Sequence, residues 1–173
     1  VSHPEQAQNV ALSEDEAALV VEEALHLAEA LSGPKRARTL ALAQVSRDGA
    51  VPAELVDVLE GVVVLALQTG RARRRYLAEG ERLLTEVLRR TPRGRDLQDQ
   101  LAAVNGALRA LAGRRLDGVR VEMRTLGHFT LTLQCEGMSL TLAVRADGVQ
   151  VESVSADGAP VVGSGAGAGG GSS

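Results

Sequence analysis

Four groups of residues in the chain have the types and spacing to do chemistry. The first is Glu23-Ala24-Leu25-His26. A carboxylate and an imidazole three residues apart share a helix face, and di-metal carboxylate bundles use two such pairs. No other histidine falls in a helical segment, so the second half of a metal site is missing. His26, beside Glu22 and Glu23, reads as a surface histidine. The second group is on strands: Glu122, His128, Thr130, Thr141 and Glu152 could form a shallow polar site, with Arg124 expected opposite His128. No Ser or Cys nucleophile with a base and a third orienting group can be assembled there. It reads as a solvated sheet face. The third is Cys135, the single cysteine. It can form no intrachain disulfide, and its inward strand position makes it an inert buried thiol. Paired Cys or His motifs for zinc are absent. So is a Gly-rich loop between a strand and a helix that would cradle phosphates. No catalytic residue, cofactor or metal ligand is assigned, and the chain reads as a non-enzyme.

The fourth group is the largest. Residues 71–95 carry nine Arg and three Glu, whereas residues 1–33 carry seven acids and no Lys or Arg. Arg71, Arg73, Arg74, Arg75, Arg82, Arg89 and Arg90 are the candidate contacts to a phosphate backbone or an acidic partner. The competing reading is internal: the basic segment faces the acids Glu14, Asp15, Glu16, Glu22 and Glu23 of the first helix. That reading is favoured. Lys occurs once, at Lys35, against eighteen Arg, a bias that G+C-rich codons of a high-G+C bacterium explain without phosphate recognition, although Arg suits phosphate geometry. Tyr76 and Phe129 are the only aromatics, too few for stacking on single strands. Residues 36–59 have helix–turn–helix proportions, but the second helix would present Glu54, Asp57 and Glu60 to the bases, the wrong charge for reading DNA.

These groups are positioned by an α+β pattern: four or five N-terminal helices packed on one face of a C-terminal four-stranded antiparallel β-meander. Ser13 and Glu16 form a capping box, and the first helix runs to about Leu31, stopped by Gly33-Pro34. A second spans about Lys35 to Val45. Pro52 is placed at the first position of a third, apolar on most sides. The stretch Arg71 to Arg90 resumes the period with Leu77, Leu83/Leu84 and Val87/Leu88, and Gly80 on that side would allow a close helix crossing. Thr91-Pro92 caps and starts the last helix. Its Leu97, Leu101, Val104, Leu108 and Leu111 form a narrow seam suited to packing along another helix. Leu97, Leu101, Val104 and Leu108 are the candidates for self-association; the alternative is that the seam packs on the third helix.

After Gly113 the period becomes two. Val119, Val121, Met123; Phe129, Leu131, Leu133, Cys135; Met138, Leu140, Leu142, Val144; and Val149, Val151 each alternate with polar residues. Opposed residues share a face, which tests the turns. Glu136-Gly137 pairs Cys135 with Met138. Asp147-Gly148 is the strongest hairpin signal and would pair Val144 with Val151. A three-residue loop, Thr125-Leu126-Gly127, with Gly127 left-handed, pairs Met123 with Phe129.

The expected organisation is a flexible arm over 1–12, a single α+β domain over 13–155 (helices 13–113, meander 117–155), and a disordered Gly/Ser-rich tail over 156–173. The first residue is Val, no basic segment precedes an apolar run, and Val62–Leu67 is far too short to span a membrane. The expectation is a cytoplasmic protein away from membranes whose partner is another protein or itself, as a homo-oligomer. Nucleic acid is the alternative partner.

Overall fold

The computed structural model describes residues 9–146, 148–156 and 159–163. Five helices precede an antiparallel sheet: α1 (Glu14–Ala30), α2 (Gly33–Ser46), α3 (Val56–Gln68), α4 (Arg71–Arg89) and α5 (Pro92–Arg109), then β3 (Leu116–Thr125), β4 (His128–Cys135), β5 (Met138–Arg145), β6 (Gly148–Ala156) and β7 (Ala159–Gly163). Two short strands, β1 (Val10–Ala11) and β2 (Ala50–Val51), pair among the helices. The chain divides into two compact units, Val1–Asp96 and Leu97–Ser173.

In the first unit the capping box forms as expected. The Ser13 hydroxyl accepts from the Glu16 amide at 3.3 Å, and the Glu16 carboxylate accepts from the Ser13 amide at 2.8 Å. Apolar residues of α1, α2, α3 and α4 make one core in which Val20, Leu42, Leu59, Val63, Leu84 and Val87 lose all contact with solvent. Three local features differ from expectation. The arm is tied down from Asn9 onward, because Val10 pairs with Val51, Leu12 is buried, and the Asn9 carboxamide accepts from the Ala53 amide at 3.1 Å. Its first eight residues lie outside the described residues. Pro52 precedes a 3-10 turn over Ala53–Leu55, so α3 proper starts at Val56. Finally, the buried residues of α4 are Ala72, Gly80, Leu84 and Val87, with Tyr76 half-buried among them. Leu77 falls beside them, 73% exposed, and breaks the helix with φ 58°. Gly80 leaves room for Tyr76 of its own helix, where a Cβ would collide with that side chain.

In the second unit the four-stranded meander forms in the expected facing. Cys135 pairs with Met138 and Met123 with Phe129, and Gly127 has φ 79°, the left-handed value its turn requires. The last hairpin is shifted. Val144 pairs with Val149 and Arg145 with Gly148, not Val144 with Val151; Asp147 lies outside the described residues. The shift keeps valine on the inner face because it moves each strand's partner by two. Gly148, drawn into the strand at φ 154°, approaches α5 so closely that a Cβ there would lie 2.6 Å from Gln100 Oε1 and 3.2 Å from Leu97 Cδ2. A β-bulge beside Thr141 and Leu142 then brings Val154 opposite Leu140 on the inner face. The segment after Ala156 is not all tail: Ala159–Gly163 adds a fifth strand beside β6. Residues 164–173 lie outside the described residues.

Candidate functional site

The basic segment meets the acidic helix within the first unit. Arg71 Nε donates to both oxygens of Glu23, at 2.8 and 3.1 Å, and Glu23 is only 3% exposed. Arg75 pairs with Glu22, and Arg90 with Glu16 at 2.6 Å. Burial pushes the Glu16 carboxyl up, but hydrogen bonds from Arg90 and the Ser13 amide outweigh it and hold the group below its ordinary value. Glu22 is also held low, first by the Tyr76 hydroxyl, which lies near it without an aligned hydrogen bond, and then by Arg75. Arg82 and Arg89 pair along their own helix with Glu79 and Glu86. Of the seven candidate phosphate contacts, five are therefore in ion pairs, and Arg73 and Arg74 remain exposed without one among the described residues.

Two of the acids expected to repel DNA, Asp57 and Glu60, are likewise engaged through their carboxylates. Arg38 donates to both Asp57 oxygens at 3.0 and 2.8 Å and to the Glu54 carbonyl at 2.7 Å, while the Glu60 carboxylate accepts from the Arg93 amide at 2.9 Å. Between α1, α3 and the start of α4 lies an open groove of about 640 Å³ with Leu27, Val62 and Ala66 at its floor and His26, Arg71 and Arg74 along its rim. Its cations include the Glu23-paired Arg71, and His26 pairs at 3.6 Å with Glu29, not with Glu22 or Glu23. Among the described residues no three His, Cys, Asp or Glu side chains converge to hold a metal ion.

The polar strand residues of the second unit come together differently from their spacing. Arg124 sits in a bulge, so His128 pairs with Thr125 and Arg145, and Thr130 faces Glu122. Arg124 instead lies across the sheet, donating to the Thr130 hydroxyl at 3.2 Å and reaching Glu152 at 3.4 Å. Thr130 is buried beneath it. No nucleophile–base pair results, and Cys135 is buried.

The opposite, apolar face carries α5. Val104 and Ala107 of the helix and Leu111 of the turn after it pack against Leu131, Leu133, Leu140, Leu142, Val149, Val151 and Val154 of β4, β5 and β6. The leucine seam is thereby divided. Val104 is spent on this unit's own sheet, and Leu97 lies against Gly148, while Leu101 and Leu108 stay exposed. The helix does not cover the whole face. Val119, Val121 and Met123, the inner row of β3, are 55%, 64% and 62% exposed, and neighbouring Phe129 is 40% exposed. β3 is also an edge, since β4 is its only sheet neighbour among the described residues. Spacing showed that this row faces inward but could not show that a single helix is too narrow to reach it. No protein-family model, curated protein or solved structure matches the chain. No helix among the described residues is long and apolar enough to cross a membrane.

Proposed function

We propose that the chain is a non-enzymatic interaction protein that associates with itself through its second unit. The observation that carries this reading is the uncovered row Val119, Val121 and Met123 on a ten-residue edge strand, contiguous with Phe129. An exposed edge strand with an apolar face is a template for pairing with another chain, and β3 is regular from Gly118 to Met123. Contiguous exposed apolar surface marks interaction sites. The alternative, a nucleic-acid accessory protein, has less to stand on: Arg71 and Arg90 are held by the buried carboxylates of Glu23 and Glu16, and Arg75, Arg82 and Arg89 each carry a neighbouring acid that would repel a phosphate. Arg73 and Arg74, exposed and without an ion pair among the described residues, would by themselves give only a weak, shallowly salt-dependent contact to phosphates. Light scattering at micromolar concentration tests the proposal. A dimeric mass that becomes monomeric in Val121→Arg, with the circular dichroism of the native chain, is the expected result. A monomeric native chain overturns it.

A further inference from the structure

Resting on that self-association, we infer its geometry: two copies join their β3 strands antiparallel, about a two-fold axis through Val121, to make one continuous sheet. Symmetry leaves few choices. Opposed residues on antiparallel strands share a face, so the axis of a symmetric pair must pass through a residue that meets its own copy. β3 alternates Val119, Arg120, Val121, Glu122, Met123, Arg124, and each centre sets a different charge pattern. An axis at Arg120 or Glu122 sets like charges directly opposite each other, which destabilises a sheet. Centring on Val119 places Val121 opposite Asp117. A Met123 axis would need Arg124 opposite Glu122, but Arg124 sits in a bulge, and the strand runs out at Thr125.

The axis at Val121 alone satisfies charge, facing and length together. It places Arg120 opposite Glu122 of the second copy and Glu122 opposite that copy's Arg120. Val121 meets Val121 and Val119 meets Met123 on the apolar face, and the regular overlap runs from Val119 to Met123, between the irregularities at Asp117 and Arg124. Both charged groups are free to re-pair. Arg120 and Glu122 now face each other along their own strand at 3.5 Å, with side chains 73% and 59% exposed, an arrangement of little value in water. The exposed apolar row of one copy then continues into that of the other.

The experiment is charge complementation in the full chain. R120E and E122R should each weaken dimerisation by roughly tenfold or more, because two attractive cross-strand pairs become two repulsive ones. Mixing R120E with E122R should produce a heterodimer, since every cross-strand pair is then opposite in charge. The double variant R120E/E122R should dimerise again with itself. A second measurement fixes the register. V121C should oxidise to a covalent dimer, because facing Cα atoms in such pairs lie within disulfide range, whereas V119C, opposite Met123, should not. The native Cys135 is buried and stays silent. Single reversals that dimerise like the native chain, a mixture that stays monomeric, or V119C that cross-links as readily as V121C would each overturn this geometry while leaving self-association standing. A native chain that is monomeric removes both.

Discussion

Replacing Arg71 with methionine takes away the cation that a buried carboxylate was folded against. Glu23 is 3% exposed and receives Arg71 Nε at 2.8 Å, while the Arg71 side chain is 26% exposed. Breaking a fully buried pair costs about 3–5 kcal/mol, because the remaining charge is left desolvated. Exposed pairs are worth about 0–1 kcal/mol. The geometry here lies between, nearer the buried limit on the acid side, so Arg71→Met should cost about 2–3 kcal/mol. For a unit of this size that corresponds to a fall in melting temperature of roughly 10–20 °C. Arg73→Met and Arg74→Met, which remove exposed cations without ion pairs, should cost less than about 0.5 kcal/mol. The double change Glu23→Leu/Arg71→Met should recover most of the loss, since no charge is then stranded. The chain supplies its own reporter: Tyr76 is its one tyrosine, it has no tryptophan, and Tyr76 belongs to the first unit. Tyrosine fluorescence during heating therefore follows that unit. An Arg71→Met melt indistinguishable from the native one, or a fall of equal size in Arg73→Met, would refute the reasoning.

Other consequences follow from single positions. Gly148→Val should destabilise the second unit by about 1–3 kcal/mol, because its Cβ would meet Gln100 Oε1 at 2.6 Å; Gln100→Ala should relieve part of this in a urea titration. Gly106→Ala, with nothing near the new methyl group, should stabilise α5 by about 0.5–1 kcal/mol in the same titration. Leu142→Asp buries an unpaired carboxylate at a position 3% exposed and should cost more than about 3 kcal/mol or abolish folding, whereas Gln150→Asp on the outer face should be mild by circular dichroism. The Glu16 carboxyl titrates below its ordinary value of 4.5 when folded. Its contribution is therefore fully present above pH 4.5 and lost as the pH falls through the folded value. Fluorescence melts should be flat from about pH 7 to 5 and drop below pH 4.5, with a shallower drop in Glu16→Gln.

The parts of the fold that local chemistry dictates were legible. Ser13 and Glu16 announced a helix start, and period two with Gly127 and Gly137 announced three strands and their facing. The pairing of Arg71, Arg75 and Arg90 with acids of the first helix followed from charge distribution. What was not legible depended on tertiary reach. Leu77 and Leu83 fit the α4 period about as well as Tyr76 and Gly80, and only the packing of Tyr76 into the space left by Gly80 decides between them. Asp147-Gly148 is a strong turn signal, yet Gly148 is taken by the close approach of Leu97 and Gln100, a contact between residues far apart in the chain. The leucine seam looked like a helix–helix interface because a sheet accepts the same stripe. The candidate surface at β3 was visible as an inward row; that it is uncovered depends on the width of one helix over the sheet, which no residue type encodes.

Hydrogen exchange along β3 at two protein concentrations tests the central claim most directly. Backbone amides of an edge strand alternate between those bonded to the neighbouring strand and those facing outward, and the outward set between Val119 and Met123, the regular part of β3, is bonded only if a second β3 is present. Raising the concentration from well below to well above the dimer midpoint should slow exchange at alternate amides of this segment, leaving those of α1 and α3 unchanged. Alternate β3 amides that exchange equally fast at both concentrations, in a chain that scatters light as a dimer, would contradict pairing through this strand.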